Sequence, residues 1–196
     1  MDKHELLYDH YKDTCEIQRT NLSTRNKLFA SVVVLLGTML LFVYRPDTIA
    51  GLLVAAVKEK YSVDISLSLG ILQSLLWAAL LYASVRYYQS SINIERTYKY
   101  IHCLEKRISD EIQAQFDREG VSYLTKYPKC SDAIDILYKW AFPLLYIIGL
   151  LVKITLEIRL SWGFFLDAFI CGIAITLCIL YIAFNLEISN EYKKQS

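Results

Sequence analysis

The chain has almost no net charge: 21 lysines and arginines against 20 aspartates and glutamates leave +1 over 196 residues. No global field draws in nucleic acid or acidic substrates, and no direct nucleic-acid contact is expected. Its five cysteines, Cys15, Cys103, Cys130, Cys171 and Cys178, never form a C-x-x-C pair. Its three histidines, His4, His10 and His102, stand at no ligand spacing from a cysteine or carboxylate. Disulfides and a metal site are therefore not expected. The phosphate loop, G-x-S-x-G, H-E-x-x-H and the dinucleotide fingerprint are all missing. Neither catalysis nor a cofactor is expected.

What the chain does have is apolar length. Hydrophobic residues make up 55% of it, too much for a chain of this size whose whole surface faces water. Leu28 to Tyr44, Ile65 to Val85 and Ala168 to Leu186 contain no charge, and Trp140 to Leu156 contains only Lys153. Crossing about 30 Å of hydrocarbon takes about 20 mostly apolar residues as a helix. The second and fourth runs suffice alone, and the first and third suffice if Lys27 and Lys153 snorkel toward water. The expected fold is an all-α, multi-pass integral membrane protein with four transmembrane helices.

Basic residues give the orientation. With the segments taken alternately, sixteen lysines and arginines fall on one side and five on the other. The positive-inside rule puts both termini and the long central segment in the cytoplasm. Residues 1–27 are too long and too acidic for a signal-peptide n-region, so the first span is expected to stay as an anchor.

Five segments follow. In residues 1–27, Leu7, Tyr11, Cys15, Gln18 and Leu22 recur at helical spacing, which predicts a cytoplasmic amphipathic helix. Residues 28–85 hold the first pair of spans and, at 48–61, an outer interfacial helix that Asp47 or Thr48 would cap. Its apolar part, Ile49 to Val57, is too short to span; lying flat is the leading form and re-entry the alternative. Residues 86–139 form a cytoplasmic stalk and return, with no proline or glycine between Arg86 and Phe116 and a break expected at Gly120. Residues 140–186 form the second hairpin, kinked by Pro143, and residues 187–196 a cytoplasmic tail.

The stalk places Ile94, Tyr98, Ile101, Ile108 and Ile112 at intervals of 4, 3, 7 and 4. One apolar face needs a helical partner: the N-terminal arm, a neighbouring subunit, or both. Tyr98, Ile101, Ile108 and Ile112 are thus the candidate oligomer interface, though the period is too uneven for a long coiled coil. Tyr98, Arg107, Arg118, Tyr123, Lys126 and Tyr127 mix aromatic and basic groups, as do the neighbouring Tyr100 and His102. Such a patch suits a protein partner first, and the base and phosphate of a nucleotide second messenger second.

Inside the spans the notable polar residues are Gln73, Lys153 and Asp167. Lys153 lies seven residues before Leu160 and Asp167 seven after, so both reach similar depth near the outer interface, where they could meet. A structural clamp or pair of anchors is the leading reading, ion passage the other. The Gln73 amide would seek another helix, or line a constriction. Gly37, Gly70, Gly149 and Gly172 permit close helix approach, though no G-x-x-x-G pair occurs.

A cytoplasmic N-terminal helix, two helix pairs and a helical insert around Phe116 to Pro128 give the whole chain an architectural resemblance to small four-span membrane subunits of bacterial antiphage defence. The Kiwa membrane subunit and the transmembrane effectors of cyclic-oligonucleotide systems are the two comparisons. The resemblance implies an inner-membrane, homo-oligomeric sensor or effector subunit that couples a cytoplasmic protein partner to the membrane. A ligand-gated channel or membrane-permeabilising effector is the alternative.

Overall fold

The computed structural model describes residues 3–61, 69–116, 137–160 and 164–195. Those residues are helical but for short connections: α1 Lys3–Tyr44, α2 Pro46–Tyr61, α3 Leu69–Ile112, a π-helical turn Leu137–Ala141, α4 Phe142–Leu160 and α5 Phe164–Gln195. Among the described residues, three helices are long and apolar enough to cross a membrane, over His4–Tyr44, Leu137–Ile158 and Phe165–Glu187. The expected span Ile65 to Val85 begins outside the described residues; its described part opens α3 and carries no charge before Arg86.

The chain divides into two compact units. One comprises Met1–Phe29 and Arg86–Asp135, the other Ala30–Val85 and Ile136–Ser196. Helices α1 and α3 each contribute to both. The N-terminal arm is thus no separate helix: nothing in Lys3–Tyr44 breaks the backbone ladder, because the segment contains no proline and only one glycine, Gly37.

In the first unit α1 and α3 run antiparallel. The Gln18 amide donates to the Ile94 carbonyl at 3.1 Å, the Ser90 hydroxyl to the Asn21 carbonyl at 3.3 Å, and the Tyr11 hydroxyl to Glu105 at 3.0 Å. Tyr11, Ile101, Leu104 and Ile108 form the core, with Leu7, Cys15 and Phe116 packed against it. Phe116 meets the Tyr11 ring edge-on at 5.4 Å.

Helix α3 ends eight residues before Gly120, where the stalk was expected to break. Gln113 takes φ 52°, and the Ala114 N–H returns to the Ser109 carbonyl at 3.3 Å. This is the Schellman cap usually built on glycine, here closed with a side chain present. The Ser109 hydroxyl accepts the Phe116 N–H at 2.9 Å, which holds the exiting chain against the Tyr11 core. Ser131 and Asp132, residue types that could cap a helix returning toward Trp140, lie outside the described residues.

The second unit is apolar on its outside and buries several polar groups among its apolar core. Large apolar side chains such as Val34, Leu41, Tyr82, Leu145, Phe169 and Leu180 are exposed, while Gln73, Ser84, Lys153, Glu157, Asp167 and Asn185 are buried. Such an exterior is suited to hydrocarbon, where polar groups find partners between helices. Ser84 and Tyr146 join α3 to α4 at 2.7 Å. Gly149 gives close approach to α1, since a Cβ there would lie 2.8 Å from Leu36 Cδ2; Gly37, Gly70 and Gly172 face open space and serve no such contact.

Two helix starts differ from expectation. Helix α2 begins at Pro46, with Arg45 the one non-helical residue, so Asp47 and Thr48 lie inside the helix rather than capping it. Proline suits a first helical position because its missing N–H would be unbonded there anyway. Pro143 lies at the second residue of α4, directly after the π turn, so its ring meets a local change of helical pitch.

Candidate functional site

A helix can bury charge in an apolar unit only where neighbouring helices satisfy it. Helices α3, α4 and α5 do so together. Lys153 of α4 has 0% of its surface exposed, Glu157 of the same helix 1%, and Asp167 of α5 2%. Lys153 Nζ pairs directly with Glu157 Oε1, one turn further along. Trp77 of α3 donates its Nε1–H to both Glu157 oxygens at 3.2 Å. Asp167 is held separately: the Ser74 hydroxyl donates to Oδ1 at 2.9 Å and the Gln73 amide to Oδ2 at 3.4 Å.

The expected meeting of Lys153 with Asp167 is therefore corrected. Lys153 takes its partner from its own helix, because an i, i+4 carboxylate is already on the same face, and Asp167 takes neutral donors from α3. Glu157 is the member that inspection of the apolar runs misses, since it lies one residue beyond the run that ends at Leu156. Its signal was the Lys-to-Glu spacing of four.

The result is a buried network with two carboxylates and one ammonium. A cleft of about 560 Å3 opens beside it, where Gln73, Ser74 and Asp167 stand among apolar neighbours including Ile71, Leu75 and Ile170. Among the described residues, no three His, Cys, Asp or Glu side chains gather as a metal site requires.

The aromatic and basic patch fares differently. Arg118, Tyr123, Lys126 and Tyr127 lie outside the described residues. Tyr98 is half-buried and Arg107 exposed. Nine residues of α-helix turn them to opposite sides of α3, so those two do not share one surface. Tyr100, nearby, accepts or donates a 2.8 Å bond with His10 of α1.

The oligomer face also has another occupant. Ile101 and Ile108 are buried against Tyr11 of the same chain, and only Ile112 of that stripe is exposed. The arm supplies the helical partner, which leaves these two side chains no room to meet a second subunit in this arrangement. The stripe is also more regular than its apolar members suggest. Buried positions in α3 run Gln73, Trp77, Leu80, Ser84, Tyr87, Ser91, Ile94, then Ile101, Glu105 and Ile108, with half-buried Tyr98 between. Intervals alternate between three and four as in a heptad repeat; polar members hid the period.

Comparison with protein-family models, with curated proteins and with solved structures found no match to this chain.

Proposed function

We propose that the chain is a non-enzymatic, four-span subunit of the inner membrane, with both termini cytoplasmic, that couples a cytoplasmic protein partner to the membrane as a homo-oligomer. The setting suggested by its architecture is antiphage defence. One observation carries the reading: α3 is a single 44-residue helix bearing the Tyr11-facing core at one end and the Gln73, Ser74 and Trp77 donors at the other. A partner that shifts or rotates this helix changes which donors reach Glu157 and Asp167. Buried ion pairs re-form in discrete arrangements rather than continuously, which suits a two-state relay.

A second reading has its own support. The cleft beside Asp167, next to a network with more carboxylates than ammonium groups, suits the passage of a cation, so a ligand-gated channel is the alternative.

Three measurements test these readings. Reporter fusions after residues 27, 120 and 196 should report cytoplasm, and those after 60 and 161 the opposite side; residue 120 on the side of residue 60 ends the topology. Cross-linking in membranes should capture a partner through the exposed Arg107 position. Liposomes holding the purified chain should stay sealed with or without cyclic nucleotides. Ligand-dependent leakage abolished by Gln73→Leu or Asp167→Asn would replace coupling with the channel.

A further inference from the structure

We propose that a groove between α1 and α3 of the first unit binds a phosphate group, carried by the headgroup of an anionic phospholipid such as a phosphatidylglycerol. The groove encloses about 480 Å3. Arg86 and Arg96 line it, and none of its nine lining residues is a carboxylate. Among the described residues Arg96 makes no hydrogen bond or ion pair, and Arg86 makes one, to the neutral Gln89 oxygen at 3.3 Å. Two arginines thus line one cavity with no carboxylate among its walls. Arginine is the side chain best matched to phosphate, through paired N–H donors.

The remaining lining fits what surrounds such a phosphate. Asn21, Thr24 and Asn93 add neutral hydrogen-bonding groups, suited to a glycerol or sugar hydroxyl. The Ser90 bond to the Asn21 carbonyl fixes the two helices against each other at this level, so the walls are formed before any ligand arrives. Arg86 and Arg96 are ten residues apart, about 15 Å of helix rise. Arg86 and Leu28 mark one end, and these are the residues at which the uncharged runs of α3 and α1 meet the polar segments. A phosphate at Arg86 would leave its acyl chains toward the apolar runs and its headgroup toward Arg96.

The geometry favours a lipid because the groove begins where the apolar runs end. A soluble phosphate ester shares the same chemistry, and the experiment separates them. The lipid source rests on the membrane reading of the apolar runs, which reporter fusions test independently; the groove does not rest on partner coupling.

The full chain, purified in detergent and delipidated, is titrated with short-chain phosphatidylglycerol, short-chain phosphatidylcholine, inorganic phosphate and a cyclic dinucleotide. Phosphatidylglycerol should bind more tightly than phosphatidylcholine. Arg86→Gln and Arg96→Gln should each weaken it about tenfold, with Arg86→Lys, which keeps the charge but not the paired donors, recovering only part of that loss. Both arginines are exposed, and an unchanged unfolding temperature without ligand would show that the variants fold. Arginine-dependent binding of inorganic phosphate or the dinucleotide, without binding of phosphatidylglycerol, would overturn the lipid source and keep the phosphate site. Equal binding of phosphatidylglycerol by wild type and the double glutamine variant, or no binding by any ligand, would overturn the site itself.

Discussion

Asn185 of α5 donates its side-chain amide to the Lys139 carbonyl at 3.4 Å. That carbonyl lies four residues before Pro143, which has no N–H to return to it. A polar residue in the last apolar run thus answers a proline in the preceding one. The neighbouring Cys178 thiol reaches the Pro143 carbonyl at 3.4 Å, so α4 and α5 are pinned twice around the same irregular turn.

This relationship predicts a coupling. Asn185→Leu should destabilise the second unit by about 0.5–1.5 kcal/mol, the net worth of one hydrogen bond to a half-buried acceptor. In a Pro143→Ala background, where residue 143 regains an N–H, the same change should cost much less. A double-mutant cycle on thermal unfolding in detergent reads the difference; equal costs in both backgrounds would detach Asn185 from the proline.

Lys153 and Glu157 give a second test. Lys153→Met leaves Glu157 and Asp167 buried without an ammonium group and should cost about 3–5 kcal/mol, seen as reduced accumulation in membranes. Adding Glu157→Met should recover most of it. The exchange Lys153→Glu with Glu157→Lys should be tolerated better than Lys153→Asp with Asp167→Lys, because only the first keeps the pair on one helical face. The opposite order would return Lys153 to Asp167.

Gln113 adopts a backbone conformation that costs a side-chain-bearing residue about 1–2 kcal/mol. Gln113→Gly should therefore raise the stability of the first unit by about 1 kcal/mol, measured as slower hydrogen exchange in Ile101 to Ile108. Destabilisation would mean that the cap relies on the glutamine side chain.

Ile101→Asp places a charge in the core against Tyr11 and should release the arm, exposing residues 3–27 to protease while residues 142–160 stay protected. Tyr11→Phe keeps the ring and removes the hydroxyl that bonds Glu105, for a loss of about 1–2 kcal/mol. Protection of the arm in the Ile101→Asp protein would mean that something other than this core holds it.

Much of this was legible in sequence. Uncharged runs and helical spacing depend on one residue at a time and its period, so the apolar parts of α1, α4 and α5 and the apolar stripe near Ile101 follow from inspection. The ends of helices were less so: Gly120 is the stronger breaker by composition, yet α3 closes at Gln113 because Ser109 and Phe116 complete a cap and a core contact there.

The pairings inside the second unit were decided by tertiary structure alone. Hydropathy says that Gln73, Lys153, Asp167 and Asn185 need partners, but not which ones. Partner choice depends on the rotation of each helix about its axis and on its depth beside its neighbours. That rotation brought Trp77 to Glu157, Ser74 to Asp167 and Asn185 to the Lys139 carbonyl, because in an apolar interior each buried polar group must find a hydrogen bond with another helix or with its own.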